Sequence, residues 1–251
     1  MKRLALAALA ALTLGATAAS ASEGSELAEQ PWSFNGLFGQ FDRPSLQRGL
    51  QVYQEVCAAC HSLKYVAFRN LADLGFTEDE AKAVAVAYEV EDGPNDEGDM
   101  FTRPGRLSDR FPSPFANDKQ ARASNNGALP PDLSLITKAR VGGPDYLYAI
   151  LTGYHEPPAD LTIGEGMYYN AAMAGNQIAM PPPLSEGLLA YADGTTASVE
   201  QMARDVTQFL TWAAEPRLEE RKNTGVKTIL VLVFLTALAY ASKRRIWAAA
   251  H

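Results

Sequence analysis

Residues 57–61 read Cys-Ala-Ala-Cys-His, and Cys57 and Cys60 are the only cysteines in a chain of 251 residues. C-x-x-C-H is the attachment sequence of a c-type haem. Each sulfur adds across one vinyl group of the porphyrin, and the histidine that follows is held beneath the iron as its proximal ligand. Nothing else in the chain restricts the fold as much, because a polypeptide carrying such a ring can use the ring itself as core and wrap loops around it. The motif predicts one covalently attached haem c, with His61 on the iron, and a role in moving electrons.

Three other chemistries use paired cysteines. A redox dithiol of the thioredoxin kind follows a strand in a βαβ unit, whereas the stretch before Cys57 reads as helix and His61 would be left idle. A structural zinc needs four ligands, and only three histidines accompany the two cysteines, one of them the terminal His251. A disulfide across two residues would be strained and would close almost no loop.

Both ends of the chain point to a membrane. Lys2 and Arg3, the small and apolar run Leu4–Ala18, and Ala19-Ser20-Ala21 form an export signal, so residues 1–21 are read as a cleaved signal peptide. Residues 225–242 carry a single charge, Lys227, and are followed at once by Lys243-Arg244-Arg245. About 18 helical residues span roughly 27 Å, enough for a thin bilayer core. Basic residues gather on the cytoplasmic side. The expected topology is a single pass in a bacterial inner membrane, with residues 22–224 as a periplasmic haem domain and 243–251 as a cytoplasmic tail.

Removing Lys2, Arg3, Lys227, Lys243, Arg244 and Arg245 from the 22 bases leaves 16 against 29 acids in residues 22–224, a charge of −13. Such a domain repels nucleic acid and favours a basic partner. Six of its acids, Glu89, Glu91, Asp92, Asp96, Glu97 and Asp99, form a run with no base from Ala83 to Thr102. The run reads either as a solvated loop or as a docking surface for a basic cytochrome.

The periodicity is helical where it is clear, and the expected fold is mainly α, a cytochrome c-like haem domain with long loops plus one C-terminal transmembrane helix. Ser45–Val56 places Leu46, Leu50, Tyr53 and Cys57 on one face. Thr77–Val90 opens on the capping box Thr77-Glu78-Asp79-Glu80, and Ser198–Ala214 opens on Ser198-Val199-Glu200-Gln201. Gly93–Leu129 and Tyr154–Glu186 read as long irregular stretches.

A six-coordinate iron needs a second axial group. Met180 sits in Ile178-Ala179-Met180-Pro181-Pro182-Pro183. Prolines fix φ and lower the loop's entropy, which suits a weak thioether ligand. His155 is the rival; Met167 and Met173 also remain open, while Met202 reads as core.

Taken together these residues resemble the cytochrome c1 family, the haem subunits of quinol–cytochrome c reductase, in its bacterial form. The likeness rests on Val56–Ser62, Glu91–Asn95 with Arg103-Pro104-Gly105, Asn125–Ser134, Leu151–Tyr154, Met180-Pro181-Pro182 and Trp212–Pro216. It implies that Met180 is the axial methionine, that Arg140 meets a haem propionate, and that Asn125 and Tyr146 line the pocket. Leu129, Pro130, Pro131 and Ile178 would form its apolar wall. It further implies that single electrons pass from a Rieske iron–sulfur protein to a soluble c-type cytochrome, within a respiratory or photosynthetic complex that includes cytochrome b. Some bacterial members staple the loop before the axial methionine with a further cysteine pair, which this chain lacks. A free-standing anchored cytochrome feeding an oxidase and a haem-based sensor remain open alternatives.

Overall fold

The computed structural model describes residues 27–248; the export segment read at 1–21 and the last residues of the tail, 249–251, lie outside them. In chain order the elements are α1 (Arg43–Glu55), a 3-10 turn (Cys57–Ala59), a longer 3-10 segment (Phe68–Leu74), α2 (Glu78–Val86), β1 (Glu89–Asp92), β2 (Phe101–Pro104), α3 (Asp118–Ser124), α4 (Gly143–Thr152), β3 (Tyr168–Tyr169), β4 (Gln177–Ile178), α5 (Val199–Ala214) and α6 (Leu218–Ala248). The fold is mainly helical, as the periodicity predicts.

The crossing of α1 and α5 sets the core. Helix α1 has Pro44 in its first turn, where a missing N–H costs nothing. It buries Leu46, Leu50 and Tyr53 on the expected face, together with Ser45, Gly49 and Val52. Against them α5 lays Met202, Val206, Phe209 and Leu210, each at most 2 % exposed. Full burial of such side chains contributes about 1.5–3 kcal/mol each. The helices touch at Gly49, where a Cβ would lie 2.1 Å from the Asp205 carbonyl oxygen and 2.6 Å from Phe209 Cβ. Beside this point the Asp205 carboxylate is fully buried. It accepts from Ser45 Oγ, from Arg48 Nε at 2.9 Å and Nη2 at 3.0 Å, and from Gln201 Nε2 at 3.0 Å. The buried charge is thus paired and hydrogen-bonded, the condition for tolerating it.

One helix end and one cap differ from the sequence reading. The capping box at Thr77 is complete: Thr77 N–H donates to Glu80 Oε2 at 2.7 Å and Glu80 N–H to Thr77 Oγ1 at 3.3 Å. The helix nevertheless stops at Val86. Tyr88 is drawn off it into an aromatic cluster, 5.3 Å from Phe68 and 5.5 Å from Phe111, and Glu89–Asp92 pairs antiparallel with Phe101–Pro104. At Ser198 only half of the expected box forms. Ser198 Oγ accepts from Gln201 N–H at 3.1 Å, but the Gln201 side chain is committed to Asp205.

The acidic run is therefore a hairpin and its flank. Asp92 is clamped by Arg103, which also reaches Asp109 at 2.6 Å. The Arg103 guanidinium holds both carboxyls below the usual carboxylate range. The long stretch 154–186 contains the second short ladder, β3 with β4, in which Tyr168 faces Ile178.

Helix α6 has 31 residues, roughly 46 Å at 1.5 Å per residue. Among the described residues it is the one helix long and apolar enough to cross a membrane; its apolar window has mean hydropathy 1.8 and no burial within the chain. It is longer than the 225–242 segment at both ends, because its first turn is bound to the domain and the Lys243-Arg244-Arg245 stop continues the helix. Arg43 clasps Glu219 through two hydrogen bonds of 3.0 and 2.8 Å, and Phe41 N–H donates to the same carboxylate at 2.7 Å.

Candidate haem site

The C-terminal end of α1 delivers the motif. Val56 N–H still bonds Val52 O at 3.0 Å, and the chain then tightens, so that Cys60 N–H and His61 N–H both donate to Cys57 O, at 3.1 and 2.8 Å. One turn thus presents both sulfurs and the imidazole. Neither thiol is in a disulfide, and both are half-buried. Burial, reinforced by Cys60, pushes the Cys57 thiol up to about 12. A redox dithiol is activated by the opposite shift, a lowered pKa.

His61 Nδ1 stands 2.8 Å from the Pro131 carbonyl oxygen. A carbonyl only accepts, so Nδ1 carries the proton and Nε2 keeps its lone pair. Burial lowers the imidazole pKa, against the opposing pull of Pro131 and Asp132, and this favours the neutral form that binds metal. The backbone of His61 is fixed too, because the buried Tyr53 hydroxyl donates to His61 O at 3.1 Å. Burial pushes that phenol well above its ordinary range, so it stays a donor.

Pro131 is placed by its neighbour. Asp132 Oδ2 accepts from Ser62 Oγ at 2.7 Å and from Lys64 N–H at 3.0 Å, and Asp132 Oδ1 accepts from Ser134 N–H at 2.9 Å. Leu133 N–H completes the seam at Ser62 O, 2.9 Å, and Tyr65 N–H donates to Ser134 Oγ at 3.1 Å. Partial burial pushes the Asp132 carboxyl up, but Ser134, Lys64 and Ser62 together outweigh it and hold it below the usual range. Asp132, Ser134 and Tyr53 have no assigned site role in the sequence reading. The signal available for Asp132 was local, an Asp two residues before a Ser as in an Asx-turn; its partners lie 68 and 70 residues away. Asp132→Asn is expected to destabilise the domain by about 2 kcal/mol, since charge-assisted bonds are weakened and a donor is turned on donors. Urea unfolding should show a lower midpoint at unchanged slope.

Met180 follows β4 by two residues and is half-buried. Its carbonyl accepts from the Tyr154 hydroxyl at 3.0 Å, and Pro181–Pro183 follow directly. His155, the rival ligand, is exposed. Met202 is fully buried on the core face of α5, and the Met173 sulfur takes the Tyr146 hydroxyl at 3.7 Å. Asn125 caps α3 by donating its amide to Ala121 O at 2.7 Å. Arg140 is exposed, with Nη1 on Ala139 O at 3.1 Å. Leu129 and Pro131 are exposed, while Pro130, Tyr146 and Ile178 are half-buried.

The residues present fit a haem c. Two unpaired sulfurs leave one turn, and the imidazole between them and Pro131 has its Nε2 reserved. Leu129, which the resemblance places in the apolar wall, is 38 % exposed. Among the described residues no cluster of three or more His, Cys, Asp or Glu could hold a bare metal ion.

Comparison with known proteins agrees. Residues 32–250 match the model of the Cytochrome C1 family. Cytochrome c1 of Rhodospirillum rubrum is 48% identical over 263 residues, covering 98% of this chain and 97% of that protein. The mitochondrial heme protein cytochrome c1 1 of Arabidopsis thaliana is 51% identical over 232 residues, 92% of this chain and 76% of the relative. Cytochrome b/c1 of Bradyrhizobium diazoefficiens is 49% identical over 272 residues; 99% of this chain is covered, against 40% of that longer protein.

Proposed function

The chain belongs to the cytochrome c1 family, and from that premise we propose that it takes single electrons from a Rieske iron–sulfur protein and passes them to a soluble basic c-type cytochrome. It is a haem-bearing electron-transfer protein of the quinol–cytochrome c reductase complex. That a relative carries the cytochrome b name in the same polypeptide supports cytochrome b as its neighbour. The observation that carries the reading is the His61 imidazole, tied through Nδ1 to Pro131 beside two unpaired sulfurs.

A haem bound here supplies one-electron exchange at its iron. Cys57 and Cys60 would hold the ring's edge, and His61 would present Nε2 to the metal. Tyr53, Asp132 and Pro131 keep that imidazole from turning. Met180 would offer its sulfur as the second protein ligand, on a loop held by Tyr154 at its carbonyl and by three prolines after it. The exposed His155 and the core-bound Met202 support that choice. Arg140, free of a carboxylate partner among the described residues and exposed, could fork onto a propionate. Helix α6 anchors the domain by a single pass. The basic stop at 243–245 supports a cytoplasmic C-terminus and a periplasmic domain, and 22–224 and 225–242 are the proposed limits of domain and anchor.

The hairpin carries the acceptor side of the proposal. Glu91, Asp96, Glu97 and Asp99 are all exposed, whereas Asp92 is clamped by Arg103 and serves the hairpin itself. In the purified complex, Glu91→Gln, Asp96→Asn, Glu97→Gln and Asp99→Asn together should slow electron transfer to a basic cytochrome at low salt. The variant should also flatten the dependence of rate on ionic strength, since exposed charges are screened beyond roughly 8 Å near 0.15 M. Loss of haem reduction by quinol on removal of the Rieske subunit is the expected donor-side result. An unchanged salt slope would remove the hairpin from the acceptor site; undiminished reduction without the Rieske subunit would remove the proposed donor.

A further inference from the structure

We propose that the loop Ser33–Gln40 inserts its tip, Leu37 and Phe38, into the lipid interface beside the entry point of α6, giving the domain a second foothold on the bilayer. The inference rests on α6 being the membrane anchor.

The loop is a closed, stiff structure. Gln40 N–H donates to Ser33 O at 3.1 Å and Asn35 N–H to Trp32 O at 3.0 Å. At Gly39 a Cβ would lie 2.0 Å from Asn35 O, so only glycine permits the closure, and Gly36 turns the tip at φ +73°. The base is aromatic and buried: Trp32 stacks on Phe34 at 5.6 Å, and Phe34 meets Phe41 at 5.2 Å. The tip is apolar and bare, with Leu37 at 56 % and Phe38 at 76 % exposure. No charged residue occurs from Ser33 to Gln40.

Its direction is fixed by its contacts with α6. Arg43 and Phe41 meet Glu219. Further back along the chain, Phe34 O and Gly39 O both accept from Lys222 Nζ, the second at 3.3 Å. The loop is thus tied to α6 at Glu219 and Lys222, its last polar turns before Gly225, where the apolar stretch begins. The tip, Leu37 and Phe38, lies between the two carbonyls that Lys222 holds, those of Phe34 and Gly39. A leucine and a phenylalanine exposed singly on a soluble surface need no explanation. Side by side on a rigid, uncharged loop tied to the last polar turn before a membrane helix, they have the composition of an interfacial anchor, apolar side chains seated at the headgroup boundary.

The test uses the full holoprotein in vesicles of phosphatidylcholine and phosphatidylglycerol, with the iron reduced. Both native cysteines are taken up by the haem, so an added cysteine is the one free thiol for a nitroxide label. Labels go at Phe38→Cys, at Glu97→Cys as a water-exposed reference, and at Val233→Cys in the middle of the anchor. Collisions with oxygen, which concentrates in lipid, are compared with collisions with a neutral nickel chelate, which stays in water. The Phe38 label is expected to favour oxygen over nickel more than the Glu97 label and less than the Val233 label, at a depth within the roughly 5–10 Å of interfacial side chains. Leu37→Cys should repeat the result if Phe38→Cys does not fold. A Phe38 label that behaves like Glu97 while Val233 reads deep overturns the second foothold and leaves the anchor standing. A Val233 label in water overturns the anchor itself. A Phe38 label shielded from both reagents means that protein covers the tip, and overturns the lipid assignment.

Discussion

Met180→Leu is expected to lower the reduction potential by about 0.2–0.4 V, a fraction of the roughly 0.8 V over which axial ligation moves a haem. It should also let carbon monoxide bind the reduced protein and abolish the weak near-infrared sulfur-to-iron band. Thioether ligation opposite histidine raises the potential, and leucine keeps the side chain's volume while removing the sulfur. The loop should survive the change. The Tyr154 hydroxyl holds Met180 through its backbone carbonyl, which leucine retains, and Pro181–Pro183 are untouched. Redox titration and the reduced-minus-reduced carbon monoxide spectrum read both effects. If His155→Ala produced them and Met180→Leu did not, the ligand assignment would pass to His155.

The second large effect concerns stability. Gly49→Ala is expected to cost about 3 kcal/mol or more, at the upper end of what overpacking does. The new methyl would meet the Asp205 carbonyl oxygen at 2.1 Å and Phe209 Cβ at 2.6 Å. One is backbone and the other is attached to it, so neither can swing away. The helices would have to part, and with them Ser45, Arg48 and the buried Asp205 carboxylate. Gly225→Ala is the control. It also lies in a helix, nothing stands within 4 Å of its added Cβ, and helix propensity favours alanine by up to about 1 kcal/mol. Denaturant unfolding followed at the haem absorbance should show a large midpoint drop for the first variant and none for the second.

The parts legible in the sequence were those with local causes. Helices α1 and α5 announce themselves because each has its own apolar stripe at helical spacing, and C-x-x-C-H because attachment chemistry dictates the spacing. Helix α4 is not legible in the same way. Gly142-Gly143-Pro144 looks like a break, yet Gly142 takes φ +84° ahead of the helix and Pro144 occupies its first turn. Leu147, Ile150 and Leu151 are then turned inward. The sequence reads the start of the hairpin as the end of the Thr77–Val90 helix and the rest as irregular chain, because the charge that organises it, Arg103, stands outside the acidic run and joins Asp92 to Asp109. At the site, the ligands are a local matter but their support is not. No spacing rule links Ser62 and Lys64 to a carboxylate 70 and 68 residues further on.

The α1–α5 crossing also imposes an order in time. Ser45 and Asp205 meet across 160 residues of chain. Closing a flexible loop of that length costs roughly 4–5 kcal/mol of entropy on logarithmic scaling, and contacts of high sequence separation form slowly. In a chain exported from its N-terminus, as proposed, Cys57, Cys60 and His61 would emerge before the helix that buries the face of α1 behind them. Arrival of residues 199–214 closes the domain. The last extramembrane helix thus acts as the latch of the fold, and a chain cut short before it would have no α1–α5 core behind the attachment turn.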